Sequence, residues 1–241
     1  MTGTQFGPSF DPDRIAAIRA QRGSPGGAHG FSAPVSNRGL AAVKRLWLRS
    51  VVLICGFIVL LYAIEGVDTV IGPRLDNAGI VPRQVDGLSG ILFAPVLHAG
   101  WGHLIGNTVP ALVLGFLVLL AGIGRGLAAT AIIWFVAGVG TWLTGAPGSL
   151  HLGASALVFG WLTLLISRGW FARNITHILL GLVVLACYGS LLWGVLPGPP
   201  GISWQGHLFG ALGGLLAGWV LSADERRRRR GERVGVSALP R

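Results

Sequence analysis

Between Asp86 and Asp224 the chain has no acidic residue, and the only basic residues in that stretch are Arg125, Arg168 and Arg173. Charged residues make up 12% of the 241-residue chain, where a soluble domain carries about a quarter. That scarcity excludes most soluble folds and places the middle of the chain in a bilayer. It also excludes two intramembrane chemistries: a metalloprotease needs a pattern such as His-Glu-x-x-His, and an aspartyl protease needs two embedded aspartates. No metal and no cofactor is therefore expected. Cysteine is nearly absent as well. Cys55 and Cys187 both fall in apolar runs, which argues against a disulfide framework and for a buried apolar role. No internal repeat is evident, which weighs against a transporter built from inverted halves.

What the chain has instead is apolar residues, 52% of the total, and 39 glycines. Glycine among leucines and valines indicates closely packed membrane helices. Counted against the ~20 apolar residues that one transmembrane helix needs, the uncharged blocks predict six spans. Residues 50–64, extended by 46–48 if Arg49 snorkels, make the first. The block 87–124 holds a re-entrant or loop portion around Pro95, followed by one helix near 97–121. The block 126–167 divides into two helices at 144–149, and the block 174–223 divides into two at the proline-rich residues 196–201. The fold class is all-α, a polytopic six-helix membrane bundle.

An even number of spans puts both termini on one side. If that side is cytoplasmic, seventeen of the nineteen Lys and Arg residues lie inside, with only Arg74 and Arg83 outside, as the positive-inside rule requires. The net charge of +10 is then a topology signal, and no nucleic-acid partner is expected. The predicted organisation is a disordered cytoplasmic tail at 1–44, a membrane domain at 45–222 and a basic cytoplasmic tail at 223–241. No signal peptide is visible, since the first apolar stretch begins beyond residue 45. Arg226 to Arg230 could meet anionic headgroups, although a stop-transfer role explains them more simply. The nine tryptophans read as interfacial anchors.

Polar side chains in membrane helices are costly and mark candidate sites. They fall in three segments, on predicted helices 2, 4 and 6. Helix 2 is read as beginning His98-Ala-Gly-Trp-Gly-His103, with His103 and Asn107 four residues apart on one face. Helix 4 carries His151-Leu-Gly-Ala-Ser155, and helix 6 carries Gln205-Gly206-His207. All three helices run inward from the outer side, so Ser155, His207, His103 and Asn107 come to one level, on the order of 10 Å deep. Small residues at 206, 210, 214 and 218, and at 156 and 160, give faces along which backbones can approach.

A serine hydroxyl becomes nucleophilic when an imidazole takes its proton, and acyl transfer needs donors aimed at the developing oxyanion. Ser155 with His207 supplies the first, and His103 with Asn107 the second. With no acid nearby this is a dyad, unless Glu65, Asp68, Asp76 or Asp86 folds back from the first outer loop. His151, read as one turn before Ser155 on the same helix, is the rival base. Replacing His207 is expected to abolish cleavage, and replacing His151 to leave much of it. His177 reads as interfacial, and His29 lies in the tail.

At this point the residues resemble those of the rhomboid family of intramembrane serine proteases, over roughly residues 45–222. Three ordered motifs carry the resemblance: His98-x4-His103-x3-Asn107, Gly153-Ala-Ser155, and Gly206-His207-x-x-Gly210-x3-Gly214. It implies that Ser155 is the nucleophile and His207 the base. It further implies an oxyanion hole of His103, Asn107 and the Ser155 amide, an aromatic ring at Phe159 against the imidazole, and a steadying role for His98 on the first outer loop. Two positions depart from the pattern. Ala156 stands where the family usually has glycine, and the Trp-Arg pair that some bacterial members carry in the first loop is replaced by Gly79-Ile-Val-Pro-Arg83.

The expected function is cleavage of transmembrane protein substrates near the outer leaflet, with the lipid bilayer as the other partner. A lid at 197–201 is expected from composition. Two other classes stay open: a catalytically silent relative that binds membrane clients, and a small channel or transporter that uses the histidines as a proton path. The sequence leaves oligomeric state open.

Overall fold

The structure is a computed structural model and describes residues 37–72, 74–198 and 201–223. Residues 1–36 of the expected N-terminal tail and 224–241 of the C-terminal one, with Arg226 to Arg230, lie outside the described residues, as do two residues of the expected lid.

Among the described residues six long helices follow one another: α1 (Asn37–Ile71), α2 (Trp101–Leu120), α3 (Ile123–Thr144), α4 (Ser155–Ala172), α5 (Ile175–Tyr188) and α6 (Trp204–Leu221). Among the described residues there is no strand, only an isolated antiparallel bridge between Ile80 and His151. Among the described residues five helical stretches are long and apolar enough to cross a membrane: α1 from Gly39, α2, α3, α4, and Ile175–Val195, in which a 3-10 segment prolongs α5. The sixth helix, α6, opens with Gln205 and His207 and is rich in glycine, so its composition is less apolar than theirs. The fold is the all-helical, multi-pass membrane bundle expected.

Local chemistry sets the breaks. Gly100 (φ 94°) and Gly122 (φ 118°) precede α2 and α3 in a conformation that a Cβ disfavours. Asn174 caps α5 by accepting from the Thr176 amide at 3.0 Å, and Ser203 caps α6 by accepting from Gly206 at 3.2 Å. Three boundaries differ from expectation. Helix α1 starts at Asn37, inside the segment assigned to the tail; Leu40, Ala41, Ala42 and Lys44 are good helix formers and outweigh Gly39. Helix α2 starts at Trp101, so His98 precedes it in an extended turn. Arg125, expected in a turn, lies in the first turn of α3.

In lipid there is little hydrophobic drive between helices, and association relies on van der Waals packing and hydrogen bonds. The bundle is built accordingly. Helices α4 and α6 form its most intimate pair, and α3 lies against α6 almost as closely. A Cβ placed on Gly210 would meet the Ala156 backbone, and one on Gly214 the Gly160 backbone and the Thr163 hydroxyl. The glycine ridge foreseen on α6 is therefore the surface on which α4 rests. Thr163 reinforces the contact, its hydroxyl lying 2.8 Å from the Ala211 carbonyl. Facing outward, side chains such as Val70, Trp170 and Trp193 stay exposed, as suits a lipid-facing surface. Cys55 and Cys187 are exposed too. Their expected buried role is corrected, since both point off the bundle.

The loop between α1 and α2 folds into short helical turns and is fastened at several points. Ile80 and His151 exchange two backbone hydrogen bonds of 2.8 and 3.0 Å, and the Gly153 amide donates to the Ala94 carbonyl at 2.8 Å. Arg83, in the left-handed region at φ 58°, donates to the Gly145 carbonyl at 2.9 Å and so satisfies a group just past the end of α3. Trp142 and Trp134 donate to the Gln84 and Ile91 carbonyls at 2.9 and 2.8 Å. The Gly79 to Arg83 segment, whose role the sequence left open, is a clamp that docks this loop onto α3 and the segment before Ser155.

Candidate active site

Ser155 is the first residue of α4. Its amide is thus one of the helix's first four N–H groups, which have no partner within the helix, and its side chain sits at the positive end of the helix dipole. The preceding Gly153 holds φ 119°, and a Cβ there would meet the His103 ring at 2.6 Å. Glycine is required on both counts, and it lets His103 lie against the segment that presents Ser155. His98 reaches the same segment: its Nε2 accepts from the Ala154 amide at 3.3 Å, and its ring lies edge-on to His103 at 5.2 Å. The bond fixes the His98 proton on Nδ1. Burial, and secondarily His103, lower the His98 pKa to about 4. His98 is therefore hydrogen-bonded to the segment just before Ser155.

The Ser155 hydroxyl lies 2.9 Å from His207 Nε2. On its other side, His207 Nδ1 is 2.9 Å from the Gly194 carbonyl. A carbonyl can only accept, so Nδ1 carries the proton and Nε2 is free to receive one from the serine. Phe159, one turn beyond Ser155, stacks on the imidazole with centroids 4.1 Å apart and planes 7° apart. Gly194 belongs to the 3-10 segment Gly189–Val195. A Cβ there would lie 2.8 Å from Phe159 and 3.2 Å from His207 Nδ1, so only glycine brings its carbonyl this close.

That carbonyl is the member sequence reasoning missed. The sequence offers only acidic side chains as a third group, but Glu65 and Asp68 lie in α1, and Asp68 accepts from the Leu75 amide at 2.7 Å instead. Burial and then Asp68 raise the pKa of nearby Asp76. Among the described residues no carboxylate bonds to His207. The signal that could have found the carbonyl is a glycine in the irregular stretch just before the base helix, where helix-terminal carbonyls are left without partners.

Asn107 is buried one turn after His103 on α2, and its Nδ2 has no hydrogen-bond partner. A buried amide without a partner costs ~1–3 kcal/mol, and such a donor is what an oxyanion would satisfy. His151 does not sit on α4 and does not bond to Ser155. It lies in the bridge to Ile80, with its ring nitrogens 2.8 Å from the Ser149 hydroxyl and 2.7 Å from the Ser203 hydroxyl. Beside Ser155 opens a cleft of about 350 Å³, its open side included. Thr141, His151 and Ser203 give it polar atoms, and Ala94, Ala137 and Ala156 give it small apolar walls. Ala156, one of the two departures from the family pattern noted in the sequence, thus lines this cleft.

A helical membrane bundle with a serine and a histidine joined across two glycine-packed helices defines the class. A family model described as Rhomboid domain matches residues 86–224, and the chain belongs to the rhomboid family. It is 50% identical over 198 residues to an uncharacterized protein of Mycobacterium tuberculosis, covering 79% of this chain and 82% of that one. A counterpart from Mycobacterium bovis matches to the same extent, and one from Mycobacterium leprae is 46% identical over 200 residues, 80% of this chain and 79% of the other. No solved structure matches.

Proposed function

We propose that the protein is an intramembrane serine endopeptidase that cleaves transmembrane protein substrates near the outer leaflet. The observation that carries this reading is the chain of hydrogen bonds from Ser155 through His207 to the Gly194 carbonyl. A serine that merely packed helices would have no use for an imidazole held in this tautomer. Ser155 attacks the scissile carbonyl as its proton passes to Nε2, and the resulting imidazolium keeps its Nδ1 proton on Gly194. The oxyanion is met by the Asn107 amide, by His103 and by the Ser155 backbone N–H. His207 then protonates the leaving amine, and afterwards takes a proton from the water that releases the acyl-enzyme. Both termini lie on the cytoplasmic side in this reading, in keeping with the charge asymmetry, and the cleft opens outward.

Purified protein reconstituted with a single-span substrate tests the proposal. The wild type is expected to cleave, while Ser155→Ala and His207→Ala lose at least ~10³-fold in kcat. Equal product from the wild type and Ser155→Ala would overturn the reading.

A further inference from the structure

We infer that His151 is a positioning residue for the dyad: it holds Ser203, the cap of the base helix, against the segment that leads into the nucleophile. This rests on the proposed serine-protease reading and deepens it. His151 is 7% exposed, and both its ring nitrogens are used. The Ser149 hydroxyl donates to the Ala146 carbonyl at 2.6 Å, so its oxygen accepts the His151 Nε2 proton at 2.8 Å. Nδ1 is then unprotonated and accepts from the Ser203 hydroxyl at 2.7 Å. Ser203 in turn caps α6: its hydroxyl accepts from the Gly206 amide, and its carbonyl accepts from the His207 amide at 3.1 Å. The turn that carries the base therefore hangs on one serine, which is oriented by His151.

The other end of this strut is equally fixed. The His151 backbone pairs with Ile80, and two residues on, Gly153 is tied to Ala94. Glycines make the crowding possible: a Cβ on Gly145 would meet His151 Nε2 at 2.7 Å, and one on Gly206 the Ser203 hydroxyl at 2.9 Å. Ser155 and His207 lie 52 residues apart, on helices whose starts are otherwise joined by their own hydrogen bond and by packing. The His151 to Ser203 bond links the two starts directly, four residues before each catalytic side chain. His151 touches neither reacting atom, so it acts through Ser203 on the distance and angle of the Ser155 to His207 bond.

The test uses the full chain in proteoliposomes, with active sites counted by end-point labelling of Ser155 with a fluorophosphonate. His151→Phe keeps the ring volume and removes both bonds. It is expected to lower kcat per titrated site about fivefold, with KM within about twofold of wild type. The rate of fluorophosphonate labelling should fall in parallel, since that reaction needs the dyad and not the substrate-binding surface. Ser203→Ala should reproduce the loss, Ser203→Thr should restore activity, and His151→Phe added to Ser203→Ala should cost nothing further. A raised KM at unchanged kcat per site, unchanged labelling, or fully multiplicative losses would overturn the inference. If His151→Phe yields no folded protein, the Ser203→Ala and Ser203→Thr pair decides by the same criteria. An active wild type with unaffected variants removes only this inference, whereas a wild type no better than Ser155→Ala overturns the protease reading and this inference with it.

Discussion

Helix α6 and helix α1 are attached to the bundle in opposite ways. Along α6 the backbone comes up against α4, through Gly210 at Ala156 and Gly214 at Gly160. Helix α1 stands off and is reached by large side chains: Trp47 edge-on to Phe116 at 5.0 Å, Phe57 to Trp161 at 6.4 Å, and Tyr62 hydrogen-bonded to Thr108 at 3.1 Å. Long side chains keep rotamer freedom, while two apposed backbones have almost none. The dyad joins α4 to α6, where a hydrogen bond of fixed length can be maintained, and α1 contributes none of the proposed catalytic groups.

Gly214→Leu breaks the comparison most severely. A side chain there has to displace the Gly160 backbone, so the expected result is loss of cleavage together with loss of the folded bundle, read as aggregation during size-exclusion chromatography. The milder Gly210→Ala should cost ~1–3 kcal/mol by overpacking, seen as a lower melting temperature in detergent. Gly194→Ala acts on the base alone. Pushing the carbonyl and Phe159 away from His207 should lower kcat about tenfold, equivalent to ~1.4 kcal/mol of barrier, while the melting temperature changes little. Wild-type kcat in that variant would mean that the carbonyl does not orient the base.

Acid should loosen the site before it affects α1. The ordinary histidine pKa is 6.5, and burial lowers that of His98 to about 4 and also lowers that of His151. Between these values the unfolded chain binds more protons than the folded one, so stability is complete above about pH 6.5 and is lost as pH falls toward 4. Melting temperatures across that range should show the decline, and His98→Asn should flatten it. The smallest effect is expected on α1. Tyr62→Phe removes one intramembrane hydrogen bond worth ~0.6 kcal/mol and should leave kcat and KM unchanged.

The helices, the meeting of Ser155 with His207 and the glycine faces were legible because each is written in side-chain type and spacing. Ser155, His207, His103 and Asn107 are costly residues in apolar surroundings, which is what marks them in the sequence. Residues whose role depends on an irregular backbone were not legible. The spacing of His151, four residues before Ser155, predicts a helical position, yet the chain there is extended and pairs with Ile80. Cys55 and Cys187 were read as buried because their neighbours are apolar, but in a bilayer the outer face is apolar too.

The sequence by itself determined that this is a multi-pass helical bundle in which the proposed nucleophile, Ser155, has only histidines for partners among ionisable side chains of its span, since no acid lies between Asp86 and Asp224. Only the tertiary structure decided what orients that histidine. A backbone carbonyl exists at every residue and leaves no mark in the sequence, so its use by His207 becomes visible only where the 3-10 segment ends and Gly194 lets it approach to 2.9 Å.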